Sequence, residues 1–175
     1  EKLLDVMERL RDPKLGCPWD LKQTFSTIAS FTIEEAYEIA EAIARSDYDD
    51  LREELGDLLF QVAFHSQLAK EEGLFEFDDV IEVVVSKMIR RHPHVFNNKS
   101  VDGESALAQA WEAHKIAERA AKGQVPSSLD HVPATLPALI RARKLQQQAA
   151  GVGFDWSIST QVIDKLEEEI KEFKQ

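Results

Sequence analysis

One cysteine, Cys17, stands in the whole chain, which excludes an intrachain disulfide and a thiolate zinc cluster and suits a reducing compartment. By itself it reads as a small, half-buried packing residue. Apolar runs of membrane-spanning length are missing, and the opening EKLLDVMERLRD has the charge and period of an amphipathic helix rather than of a leader peptide. Basic residues are scarce. With 21 Lys and Arg against 32 Asp and Glu, the net charge of −11 denies the chain the basic face that a sequence-independent grip on nucleic acid requires. The expectation is a soluble, cytoplasmic protein with neither membrane nor nucleic acid as partner.

Period-two alternation is also absent, while apolar residues recur at three and four, so the fold class is all-α. Leu3, Leu4, Met7 and Leu10 predict a first helix, stopped by DPKLGCPWD with Pro13, Gly16 and Pro18. A second helix is predicted from Thr32 to Arg45, with Ile33, Ala36, Tyr37, Ala40, Ile43 and Ala44 as its apolar stripe. SDYDD, Ser46 to Asp50, reads as the connection to a third helix through Leu51, Leu55, Leu58, Leu59, Val62 and Ala63 toward Leu68, making an αα-hairpin. Gly73 ends it, Asp78 or Asp79 caps a helix running to Met88, and Pro93 stops that one. A further helix is predicted over 104–122. Three of the six prolines then fall in 123–137, which reads as a linker, and 138–151 and 159–175 are helical again.

What the chain has in plenty is negative charge on the hairpin: ten carboxylates against two arginines between Thr32 and Phe60. Glu35 and Glu38 share one helix face, and Glu54 and Asp57 share one on the next. Glu38 and Glu54 are each eight residues from Ser46, and Glu35 and Asp57 each eleven. An antiparallel hairpin pivoting there brings all four together. Like charges at about 4 Å repel by roughly 4 kcal/mol at an effective dielectric near 20, so such a set protonates or binds cations, and hard oxygen ligands suit Mg²⁺ or Mn²⁺. The bland alternative is a solvated acidic face, which fits Glu34, Glu41, Asp47, Asp49, Asp50 and Glu53 well. Thr32 with Glu35 also fits a capping box that would take Glu35 away from a cation.

Glu34-Glu35-x-x-Glu38, fifteen residues, then Glu54-x-x-Asp57 resembles the signature of the MazG nucleoside triphosphate pyrophosphohydrolases. GCPWD with Gln23-Thr24, GDLLFQV, RRHPHVF and WEAHKIAER resemble further segments of that family in the same order, across essentially the full chain. The resemblance implies a four-helix, MazG-like bundle completed by dimerisation, and Mg²⁺-dependent hydrolysis of NTPs and dNTPs to monophosphate and pyrophosphate. It implies Glu35, Glu38, Glu54 and Asp57 as metal ligands, and Glu34 and Glu38 as the carboxylates handling the proton. Trp19, beside Lys22 and Gln23, is a candidate for base stacking, with core anchoring as the alternative. Lys87, Arg90 and Arg91 are candidates for the phosphates, or else complement a helix C-terminus. His92-Pro93-His94 reads as structure.

Asp155-Trp156 and Glu168, Glu169 and Glu172 resemble the opening of a second module without its Glu-x-x-Asp half. The expected organisation is therefore a complete module over 1–122, the 123–137 linker and a partial module over 138–175. A rival expectation, from another class, is a weakly active or purely structural dimerisation module whose tandem partner carries the catalysis.

Overall fold

The computed structural model describes residues 2–97 and 132–174 apart from Ser157, with isolated positions between 103 and 129. Among the described residues all regular structure is helical. The chain divides into two compact units, 1–100 and 101–175. In the first, α1 spans Lys2–Leu10, α2 Phe25–Arg45, α3 Tyr48–Glu71, α4 Phe77–Arg91 and the short α5 Pro93–Phe96, with a 3₁₀ turn at Asp20–Lys22 before α2. In the second, α6 spans Ala138–Ala150, closed at Gly151, and α7 spans Ser159–Phe173. Of the helix predicted over 104–122 only scattered positions between 110 and 121 are described, each of them helical, and most of the linker lies outside the described residues.

The αα-hairpin of α2 and α3 is the backbone of the first unit. Its connection is shorter than SDYDD: only Ser46 and Asp47 lie between the helices, Ser46 in the left-handed region at φ 58°, with its N–H donating back to Ile43 at 3.0 Å and that of Asp47 to Ala42 at 3.0 Å. Asp47 caps α3, its carboxylate accepting the Asp50 N–H at 3.1 Å, so Tyr48 to Asp50 are already helix.

Three other expectations are corrected. Helix α2 starts seven residues early, because Thr24 and Thr27 cap each other: the Thr24 N–H donates to the Thr27 hydroxyl at 2.8 Å, and the Thr27 N–H to the Thr24 hydroxyl at 3.3 Å. Thr32 is therefore inside the helix, its hydroxyl on the Ile28 carbonyl and within 3.2 Å of His65 Nε2, so Glu35 is not held by a cap. The cap residue of α4 is Glu76, whose N–H is accepted by Asp79, rather than Asp78 or Asp79 itself. Finally, Ile28 and Ala42 are the residues of α2 that become buried, while Ile33 and Tyr37, expected as core, are 54% exposed, and on α3 Leu55 and Leu59 remain about half exposed.

These burials place the core at one end of the hairpin. Met7 of α1, Ile28 of α2 and Phe64 and Leu68 of α3 close a cluster flanked by Phe25 and Phe60. Each such side chain contributes about 1.5–3 kcal/mol. Toward the Ser46 turn lies the acidic stretch with its exposed neighbours Tyr37, Ile43 and Leu55.

Candidate active site

Helical spacing and the short connection together decide the site. Ligand oxygens of Glu35, Glu38 and Glu54 lie within 4.8 Å of one another, so two helices deliver three carboxylates to one point. Glu35 and Glu54 are half-buried and Glu38 is exposed. Asp57 is exposed and outside that trio, yet among its neighbours' charges it acts most strongly on Glu35. Glu34 is exposed and adds one more negative charge to Glu35.

The electrostatics follow. Loss of solvent, and then the charges of Asp57, Glu38, Glu54 and Glu34, hold the Glu35 carboxyl above its usual range. Glu54 is raised in the same way by desolvation, by the charges of Glu38 and Asp50, and by the close approach of the Glu38 carboxyl. A set of oxygens that resist being charged together is relieved by a cation. All-oxygen donors from two rigid helices fit a hard divalent ion, and Glu35, Glu38 and Glu54 are the residues that could hold one.

The other expected residues divide into two groups. Trp19, half exposed, meets Phe31 edge-on at 6.0 Å, and Phe31 lies on α2 one turn before Glu34 and Glu35. The amide of Gln23 donates to the Trp19 carbonyl at 2.9 Å, and Lys22 is exposed in the same 3₁₀ turn. Lys87, Arg90 and Arg91 are placed in the last turns of α4, outside the α2–α3 hairpin that forms the cluster, where they also suit the carbonyl end of their own helix.

Sequence reading missed Arg11. Its side chain is 7% exposed, and its guanidinium forks onto Glu71 with Nε at 2.8 Å and Nη2 at 2.5 Å, donates through Nη1 to the Asp20 carbonyl at 2.5 Å, and lies 5.4 Å from the Phe64 ring centre. It also missed His65, stacked on Phe25 at 5.9 Å, whose imidazole is pushed by burial toward the neutral form. Gln61, buried one turn beyond Asp57, likewise gave no signal beyond its place in GDLLFQV.

An antiparallel helical pair that converges carboxylates on one point defines a class: helical proteins with a clustered acidic site. The comparisons narrow it. The family model for the MazG nucleotide pyrophosphohydrolase domain matches residues 23–96, which run from the residue after the 3₁₀ turn through α5. The chain is 55% identical over 172 residues to the nucleoside triphosphate pyrophosphohydrolase of Escherichia coli K12, covering 98% of this chain and 65% of that protein. It is 44% identical over 175 residues to the nucleoside triphosphate pyrophosphohydrolase/pyrophosphatase MazG of Thermotoga maritima, covering all of this chain and 66% of that one. The crystal structure of a mazG-related protein from Thermotoga maritima superposes with a TM-score of 0.54 at 30% identity, over 66% of this chain and 97% of that one. The chain belongs to the MazG family. It spans about two thirds of the length of these two curated relatives.

Proposed function

We propose that the protein is a cytoplasmic nucleoside triphosphate pyrophosphohydrolase that converts NTPs and dNTPs to monophosphate and pyrophosphate. The convergence of Glu35, Glu38 and Glu54 carries this reading, with Asp57 completing the ligand set. Mg²⁺, with Mn²⁺ able to replace it, is the ion such oxygens suit; when bound it neutralises the triphosphate, polarises the α-phosphorus and acidifies water. A water oxygen attacks the α-phosphorus, the bond to the bridging oxygen breaks, and pyrophosphate leaves with that electron pair. Glu38 or Glu34 takes the proton of the attacking water. Trp19 stacks on the base beside Lys22 and Gln23, and Lys87, Arg90 and Arg91 meet the departing phosphates.

Two further parts belong to this reading. A second copy of the chain covers the exposed Ile33, Tyr37, Leu55 and Leu59, giving a homodimer whose bundle is closed at the acidic end. The organisation remains a catalytic module over 1–122, a linker over 123–137 and a partial repeat over 138–175. In that repeat Glu169 is paired with Lys165 at 3.2 Å, and Lys165 also binds Glu168 at 2.8 Å, which suits a segment with no catalytic work of its own.

The test is pyrophosphate release from ATP and dNTPs in the presence of Mg²⁺. Glu38→Gln and Glu54→Gln should each lower kcat by about 100-fold or more, an effect of roughly 2.7 kcal/mol or more on the barrier. Activity that survives both changes overturns the site. No release from the wild type favours the structural dimerisation module instead.

A further inference from the structure

We propose that Arg11 is a positioning residue for nucleotide binding: it clamps the turn carrying Trp19, Lys22 and Gln23 to the far end of α3. The inference rests on the reading above that this turn faces the nucleotide. Arg11 lies one residue beyond α1, and its fork grips the Glu71 carboxylate with one edge. The Nη1 on the other side donates to the Asp20 carbonyl at 2.5 Å and, at 3.4 Å, to that of Gln23. One planar cation thus ties a helix end to the two carbonyls that bracket the Asp20–Lys22 turn. Lysine offers a point charge without the second edge, so it cannot serve both sides.

The connection continues to the acidic helix. Gln23 donates to the Trp19 carbonyl, and Trp19 meets Phe31 one turn before Glu34 and Glu35. Glu71 is itself kept ionised, chiefly by the Arg11 hydrogen bonds and also by that of Gln67 at 3.0 Å, so the anchor stays charged well below neutral pH. Arg11 touches none of the catalytic carboxylates. The core of Met7, Ile28, Phe64 and Leu68 closes without its charge, so what the clamp adds is the placing of the turn.

Arg11→Met keeps the stem over Phe64 and removes both edges, and Arg11→Lys keeps the charge alone. Each should raise KM for ATP, and Kd for a non-hydrolysable α,β-methylene analogue with Mg²⁺, about tenfold, roughly 1.4 kcal/mol in binding, with kcat within about twofold. Amide hydrogens of Leu21, Lys22 and Gln23, which donate to Cys17, Trp19 and Asp20, should lose exchange protection. Trp19→Ala should raise Kd as well, and adding Arg11→Met to it should bring little more, because both act through one turn. Unchanged Kd in both arginine variants, or a full extra tenfold on the Trp19→Ala background, overturns the clamp. If Arg11→Met does not fold, Arg11→Lys carries the same measurements. Failure of the catalytic reading looks different: the wild type releases no pyrophosphate, while the loss of analogue affinity and of protection on changing Arg11 persists.

Discussion

Gly16 and Gly56 should answer alanine with opposite signs. A Cβ at Gly16 would lie 2.4 Å from the Leu10 carbonyl oxygen, 2.5 Å from that of Asp12 and 2.8 Å from the Asp12 nitrogen, all backbone atoms. Relief needs a displacement of about 0.9 Å, since carbon–oxygen contacts are comfortable only beyond roughly 3.3 Å. That movement strains the Gly16 N–H bond to Asp12 and the Cys17 N–H bond to Leu10, both 2.8 Å, which fold the turn onto the end of α1. Losing two such bonds costs about 2 kcal/mol and the overpacking about 1–2 more, so Gly16→Ala should lower stability by about 3–4 kcal/mol. At Gly56, inside α3, nothing lies within 4 Å of the added Cβ. Alanine there gains about 0.5–1 kcal/mol from helix propensity. Urea unfolding of both variants at sub-micromolar concentration, with slopes matching wild type, measures the difference. Gly16→Ala within about 0.5 kcal/mol of wild type, the usual range of a surface change, refutes the close approach on which the turn is built.

Mg²⁺ should raise the unfolding midpoint, by about 2.7 kcal/mol of stability at a hundredfold excess over its Kd; thermal shift checks this, with Glu38→Gln and Glu54→Gln losing the response and Asp57→Asn, outside the trio, keeping part of it. Acid should cost stability through Glu71. Its folded pKa lies below the ordinary glutamate value, chiefly because of Arg11, so the unfolded chain binds the extra proton; the pair's contribution is complete above that ordinary value and is lost as pH falls through the folded one, and Glu71→Gln should flatten that part of the pH–stability curve. Dimerisation predicts that stability rises with protein concentration, by about 1.4 kcal/mol per tenfold, and that Leu59→Lys removes the dependence; sedimentation and melts at two concentrations check both.

What could be read beforehand was local. The three-residue spacing of Glu35 with Glu38, the similar spacing on the next helix and a pivot at Ser46 are properties of helical period and short connections, and the structure brings Glu35, Glu38 and Glu54 together accordingly. The start of α2 was hidden because Thr24-x-x-Thr27 caps without the acidic partner that Thr32-x-x-Glu35 offers, and because Ser26 and Thr27 are indifferent helix formers. Ile33 and Tyr37 looked like core because hydrophobicity says that a side chain wants cover, not whether its own helical unit supplies it. Arg11 left no trace in sequence, since Glu71 is sixty positions away and only the folding of α1 onto α3 brings them together.

The two-residue link at Ser46 and Asp47 leaves the hairpin no slack. Deleting either position would draw a helical residue into the bend, which shifts one carboxylate row by about 1.5 Å along the axis and turns it by about 100°. Loop length, usually the most freely varied trait of a surface segment, here gauges the alignment of the acid pairs, so natural insertions and deletions should cluster elsewhere in the chain.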